Sequence, residues 1–385
     1  MTWLFWGCVG YLVYVYAGFP LLVILRGHLQ PRPFTRERIE PKVSMVIAAH
    51  NEADVIGDKI ENALSLDYPP DRLELVVASD GSDDGTAGIV RRHANGRVRL
   101  LELDRVGKAA ALNAAVEAAD GDVLVFTDAN SILDREAVRE LVGPLADPKV
   151  GGVAGNQVYL SPEAGDSSVV GEQQYWNLDR TLKQAQSAAG SVTGATGALY
   201  AIRRGLFHPV RADVNDDLLT SLRVIAQGYR LVFAPRAVAY EHVVETASQT
   251  FSRRVRVMAR GLRCVVVMRE LLDPRRYGFF AIQLLSHKLL LRTAVIPLAL
   301  LAAWNGVLWN HGWFYRAALV AQAAFYLLGV AGIVFANRRV AKLKPFALPA
   351  YFVLVNAAAA KAMWQLFRGE KHERWEPRGS ADQTA

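Results

Sequence analysis

No charged side chain occurs between residues 3 and 25, and this run constrains the chain more than any other feature. At about 1.5 Å per helical residue it is long enough to cross the roughly 30 Å hydrocarbon core of a bilayer. A cleaved secretory leader would want basic residues ahead of its apolar core, whereas here Arg26 follows it. A spanning helix over residues 1–27 is the direct reading. Arg26, Arg32, Arg36, Arg38 and Lys42 lie at its end and in a Pro-containing linker, 28–42. By the positive-inside rule they place the next segment in the cytoplasm.

Residues 43–245 read as soluble protein. Apolar runs at 43–48, 73–79, 98–101 and 123–127 alternate with helix-like stretches bounded by Gly, Asp and Pro. This alternation predicts a doubly wound α/β sheet, in which ligands bind beyond the carboxyl ends of the strands. The residues directly after the runs are therefore the first place to look for chemistry: His50, Asn51, Glu52, Asp80, Asp128 and Asn130.

The formal charge of +7 suits anionic lipid, nucleic acid or a polyanionic substrate, and its distribution chooses among them. Residues 246–286 carry Arg253, Arg254, Arg256, Arg260, Arg263, Arg269, Arg275 and Arg276 among Phe, Val, Met and Leu, as amphipathic helices at a membrane surface do. Apolar segments follow at 289–309, 314–336 and 346–367, about three spans within 287–368. Arginines flanked by spans, with no aromatic stacking platform, argue against nucleic acid. Arg292 makes the start of the first segment interfacial, because a charge in lipid is costly. Arg338, Arg339, Lys342 and Lys344 mark a cytoplasmic turn, yet four spans would put the basic tail, 369–385, on the opposite side. Cys8 and Cys264 are the only cysteines, so neither a disulfide framework nor a Cys-based zinc site is expected.

Several short motifs place oxygen or ammonium groups where chemistry needs them. Asp80 can accept hydrogen bonds from the imide of a base or from a ribose hydroxyl, and an Asx turn leading to a helix cap would use the same residue. Asp128 and Asn130 are spaced i, i+2, and in extended backbone both would face one hard divalent cation whose shell a diphosphate completes; a helix cap is the alternative. Lys108, beside Gly107, can reach a phosphate oxyanion or solvent. Asp216 and Asp217 open a helix expected over 218–227. They serve as caps favoured by the helix dipole, or one of them removes the proton of an acceptor hydroxyl. Gly194, Ala195, Thr196 and Gly197 allow either a close sugar or a tight turn.

In this order the segments resemble the membrane-integrated family 2 glycosyltransferases, the kind that includes hyaluronan, chitin, cellulose and poly-N-acetylglucosamine synthases. The resemblance runs from residue 43 to about residue 375. It implies a GT-A α/β domain with N- and C-terminal transmembrane helices, a multi-pass protein of a bacterial-type inner membrane with a cytoplasmic catalytic domain, and a Mg2+ or Mn2+ cofactor. By that resemblance Ala48, His50, Asn51 and Glu52 form the first-strand motif beside the nucleobase, and Asp80 is the nucleotide-binding Asp. Asp128 and Asn130 are the metal-binding pair, Asp128 also contacts the donor, and Lys108 is the lysine ahead of them. Asp217 takes the position of the catalytic base with Asp216 beside it. Gly194, Ala195, Thr196 and Gly197 resemble the acceptor-side loop, and Arg253, Arg254 and Arg256 fall in the acceptor-gripping segment.

Three positions depart from the family pattern. Asn130 replaces an Asp, Asn215-Asp216 replaces Thr-Glu, and residues 253–257 read Arg-Arg-Val-Arg-Val where processive members carry Gln-x-x-Arg-Trp, without the Trp that stacks on the polymer. The expected activity is inverting transfer of a sugar from a nucleotide-sugar, a UDP-sugar first, to a membrane-associated glycan or lipid-linked acceptor. Its setting is extracellular polysaccharide biosynthesis, with polysaccharide-assembly proteins as further partners. A processive synthase-translocase and a catalytically lapsed membrane scaffold are the competing expectations.

Overall fold

The structure, a computed structural model, describes residues 2–160, 167–242, 247–336 and 338–370. The boundary expected at 245/246 and the tail beyond 370 lie outside the described residues. Two compact units emerge, one of 27–160 and 183–242, the other of 2–26, 167–182, 247–336 and 338–370. In chain order the elements used below begin with α1 (Thr2–Leu29), followed by β1 (Val43–Ala49), α2 (Ala53–Leu64), β2 (Leu73–Asp80), α3 (Thr86–His93), β3 (Val98–Leu103), α4 (Lys108–Glu117) and β4 (Val123–Phe126). Then come β5 (Ile132–Leu133), α5 (Ala137–Val142), β6 (Val150–Leu160), α6 (Ser167–Ala189), β7 (Tyr200–Arg203), α7 (Asp216–Ala226), β8 (Arg230–His242) and α8 (Ala247–Val267).

The first unit is built on one eight-stranded sheet in the order β3-β2-β1-β4-β7-β6-β8-β5. Every residue of β1 and β4 is buried, as expected of strands covered by helices on both faces, and this is why they read as unbroken apolar runs. Helix α2 covers the sheet with Ile56, Ile60 and Ala63, the i, i+4, i+7 stripe of an amphipathic helix. The β3-β2-β1-β4 half is parallel, and its order reverses between β1 and β4, so their carboxyl ends flank a crevice suited to a ligand.

The other half is mixed, which the expectation of a doubly wound sheet did not include. Strand β7 runs antiparallel to β4 with Tyr200 opposite Phe126. Antiparallel pairing at that register sets the residues before β7 beside the residues after β4. The small-residue loop 194–197 is thereby delivered to Asp128.

Among the described residues three helices are long and apolar enough to cross a membrane: α1, a helix Trp313–Val334 and a helix Lys344–Phe367. A fourth candidate is a pair, Phe279–Thr293 and Val295–Val307, bent by 47°. The expected single segment 289–309 is thus a broken one. Pro297 supplies the reason, because it has no N–H to offer the carbonyl four residues back, that of Thr293, where the first helix stops. Arg292 turns its guanidinium onto Gly261 of α8, where a Cβ would stand 2.6 Å from Nη1, so a glycine makes room for the charge inside the unit.

Helices Trp313–Val334 and Lys344–Phe367 approach through Gly329 and Gly332, the small-residue contact that membrane helices favour. A Cβ at Gly332 would lie 2.7 Å from the Phe346 carbonyl oxygen. Gly332→Val should force the helices apart at a cost of about 1–3 kcal/mol. Thermal unfolding in detergent should register this as a lower midpoint, and an unchanged midpoint would refute the close contact.

Candidate active site

Three strand ends and one helix start converge in the first unit. Beyond β1, Asn51 adopts φ 53°, a left-handed conformation that Asn tolerates better than most residues. Its Oδ1 accepts from the Asp83 backbone N–H at 3.0 Å. His50 is buried and donates from Nδ1 to the Asp80 carbonyl oxygen at 2.7 Å. The Glu52 N–H donates to Thr86 Oγ1 at 2.9 Å, and Ala48 is buried in β1. This motif therefore braces the loop after β2 through its side chains and backbone.

The sequence left the Asp80 carboxylate open to a base, a ribose hydroxyl or an Asx turn leading to a helix cap. It is completely buried and accepts from the chain itself. The Val106 N–H reaches Oδ1 at 2.6 Å, the Gly107 N–H reaches both oxygens at 3.0 Å, and Arg105 Nη1 lies 3.3 Å from Oδ2. A carboxylate that collects several donors fixes the backbone around it. Gly81, at φ +59° with no room for a Cβ beside the Arg105 nitrogen, lets the loop approach. Asp80 thus shapes the turn that starts α4, whose first residue is Lys108.

Lys108 is the hub. Its Nζ donates to Asp128 Oδ1 at 2.9 Å and lies 3.7 Å from Asp216 Oδ2. Burial pulls its pKa down, but Asp128, Asp216 and Asp217 outweigh that pull and hold it above the ordinary lysine range. Asp216 and Asp217 occupy the first turn of α7, where the helix dipole favours negative charge. Asp217 Oδ1 accepts from the Leu218 N–H at 2.6 Å. Burial and then the neighbouring Asp216 carboxylate push the Asp217 pKa up to about 6, against the pull of Lys108.

Asp128 does not stand in extended backbone as its spacing suggested. Strand β4 stops at Phe126, and the Ser131 N–H bonds back to the Asp128 carbonyl at 3.3 Å, so Asp128 and Asn130 stand across a turn. Gly197 faces the carboxylate, and a Cβ there would come within 3.1 Å of Oδ2. A side chain at 197 would crowd the oxygen face that a cation needs. Among the described residues no three His, Cys, Asp or Glu side chains form a metal-holding group, and the oxygen-bearing side chains of this turn that would hold a cation are Asp128 and Asn130. That is a fit for a hard divalent ion whose remaining ligands come from a diphosphate.

In the small-residue loop the Ala195 N–H donates to Ser221 Oγ, which donates to the Asp217 carbonyl, tying the loop to α7. Thr196 Oγ1 is buried with no hydrogen-bond partner among the described residues. Arg253, Arg254 and Arg256 lie on α8 of the other unit. There the Arg254 guanidinium donates to the Tyr351 hydroxyl at 2.7 Å and stacks over the Trp176 ring.

Sequence reasoning passed over three contributors. Arg105 on Asp80 had no motif to mark it. Tyr200, stacked on Phe126 at 4.7 Å between ring centroids, lies beneath the carboxylates and was visible only through the β4–β7 register. Lys59, fully buried against Thr127, did leave a signal: it occupies the i+3 position of the α2 stripe Ile56, Ile60 and Ala63, where an apolar residue belongs.

Known proteins resemble this chain in sequence and in fold. Residues 44–211 match the family described as Glycosyl transferase family 2. The poly-beta-1,6-N-acetyl-D-glucosamine synthase of Staphylococcus aureus strain MSSA476 is 27% identical over 269 residues, which cover 67% of this chain and 63% of that protein. Its counterpart in Staphylococcus epidermidis is 26% identical over 59% of this chain and 58% of that protein. The chain therefore matches less than two thirds of the length of these relatives. Among solved structures, the mannosyltransferase PcManGT from Pyrobaculum calidifontis, in complex with GDP-Man and Mn2+, superposes with a TM-score of 0.70 at 27% identity. The superposition covers 94% of this chain and 99% of that one. The fold is GT-A-like.

An acid whose native pKa lies above its ordinary value of 3.8 burdens the folded state once ionised. That burden is absent below about pH 4, grows toward pH 6 and is complete above it. Asp217→Asn should therefore raise the thermal midpoint at about pH 8 and leave it unchanged near pH 4. A lower midpoint at pH 8 would contradict the crowded-carboxylate reading.

Proposed function

We propose that the chain carries a family 2 glycosyltransferase domain and transfers a sugar, with inversion, from a nucleoside-diphosphate donor to a membrane-associated glycan or lipid-linked acceptor. The observation that carries this reading is the Lys108 ammonium, placed between Asp128 on the donor side and Asp216 on the base side. Three separate segments meet at that one nitrogen.

In this reading Asp217 takes the proton of the acceptor hydroxyl as its oxygen attacks the anomeric carbon from the face opposite the diphosphate. The bond from that carbon to the diphosphate oxygen breaks, and the electron pair leaves with the nucleotide. A pKa raised to about 6 leaves Asp217 ionised at neutral pH yet more basic than an ordinary carboxylate. Lys108 turns its ammonium to the departing diphosphate, and Asp80 holds the turn that presents it. Asp128 and Asn130 would hold Mg2+ or Mn2+. When bound, that ion neutralises charge on the leaving group. His50, Asn51 and Glu52 shape the nucleobase side, and the 194–197 loop, with Thr196 Oγ1, receives the acceptor sugar.

Several apolar helices, the arginine-rich α8 and the basic residues 26–42 support a multi-pass inner-membrane protein with this domain on the cytoplasmic side. Similarity to the staphylococcal poly-N-acetylglucosamine synthases supports a role in extracellular polysaccharide synthesis. The GDP-Man held by the structurally similar mannosyltransferase makes GDP-sugars competitors to UDP-sugars. Kinship with the staphylococcal synthases favours polymer formation, whereas Val257 in place of a stacking Trp favours one or a few additions.

Purified protein with Mn2+, a panel of UDP- and GDP-sugars and lipid-linked acceptors should transfer one sugar class. Asp217→Asn should lower turnover by about 10²–10⁴-fold while nucleotide binding persists, and full activity would refute the base. Lys108→Met should weaken nucleoside-diphosphate binding, and unchanged affinity would remove Lys108 from the donor side.

A further inference from the structure

Beneath the Asp128-Ala129-Asn130 turn lies a charged group that no step above uses. Lys59 of α2 is wholly shielded from solvent. Its Nζ donates to Thr127 Oγ1 at 2.8 Å and to the Ser131 carbonyl oxygen, the residues immediately before and after the turn. Each contact is extended by a further bond. Thr127 Oγ1 donates to the Ala198 carbonyl at 2.8 Å, and Ser131 Oγ donates to Glu241 Oε1 at 2.7 Å, with Glu241 itself buried. One turn along α2, Asn62 exchanges two hydrogen bonds with the Leu133 backbone, at 2.9 and 2.8 Å.

We infer that Lys59 is a positioning residue for the donor and metal site, clamping both ends of the Asp128-Ala129-Asn130 turn from below and linking it through Thr127 to the acceptor-side loop. Burying an ammonium is costly unless it is paired and hydrogen-bonded, and a helix stripe that needed only packing would be served by an aliphatic residue. Burial draws Lys59 down to about 7, and the charges of Asp128 and Glu241 oppose that fall. The carboxylates that act on Lys59 are those of Asp128, in the turn, and Glu241, in β8. Groups that orient metal ligands from behind commonly set how well the ion is held.

The effect on metal rests on the donor-site reading above, whereas the clamp does not, and the test separates them. In the full chain in detergent, Lys59→Met keeps length and apolar contact but removes the donor. Hydrogen exchange of the amides of 128–131 should accelerate while those of 43–49 stay protected. In the transfer assay, the Mn2+ concentration for half-maximal rate should rise about tenfold, with the donor KM at saturating Mn2+ unchanged. Unaltered exchange at 128–131 overturns the clamp. Faster exchange with an unmoved Mn2+ requirement overturns the positioning role. If Lys59→Met does not fold, Thr127→Val removes the hydroxyl acceptor and should loosen the same amides; continued protection there overturns the inference. Absence of transfer in the wild type defeats the donor-site reading, and the exchange result still decides the clamp.

Discussion

Like charges crowded around one cation form the constraint on which the site depends. Asp128, Asp216 and Asp217 come from the end of a strand and the start of a helix, and their repulsion is tolerable because Lys108 stands among them. Two unit charges about 4 Å apart interact by about 4 kcal/mol at the effective dielectric of a protein boundary, enough for the ammonium to decide how closely the carboxylates gather. At Asp217 burial, and then the Asp216 carboxylate, outweigh the pull of Lys108 and raise its pKa. A group held in that condition is suited to accept a proton.

The sheet supplies the geometry. Parallel β1, β2 and β4 put His50, Asp80 and Asp128 at one edge, and the antiparallel β7 returns Gly197 to the same place. Fixed turns then refine the edge. Asp80 works on the backbone of Val106 and Gly107, so its influence on the site passes through the residue those amides introduce, Lys108. The acidic residue and the basic one belong to a single device.

Much of this was legible in the residues. The largely buried strands β1, β2 and β4 gave apolar runs and, with the half-exposed edge strand β3, were found within one or two positions, and Asp217 was marked by the helix that follows it. The mixed half of the sheet was not legible, because β7 is four residues long and its direction is set by pairing with β4 rather than by any local pattern. The turn at Asp128 was missed for a similar reason: strand and turn share the same short side chains, and only the Ser131 bond to the Asp128 carbonyl separates them. The break ahead of Pro297 carried a plain signal that the length of the apolar run concealed. The filling of Asp80 by its own loop had none, since it depends on where Arg105 arrives after β3.

The central claim is that donor and base are assembled around Lys108, and the location of the metal tests it most directly. Crystals grown with Mn2+ and a nucleoside diphosphate should show the manganese anomalous peak on Asp128 and Asn130, the Lys108 ammonium turned toward the phosphates, and Asp217 facing the space beyond them. A peak on other carboxylates, or Asp217 directed away from the diphosphate, would contradict the account.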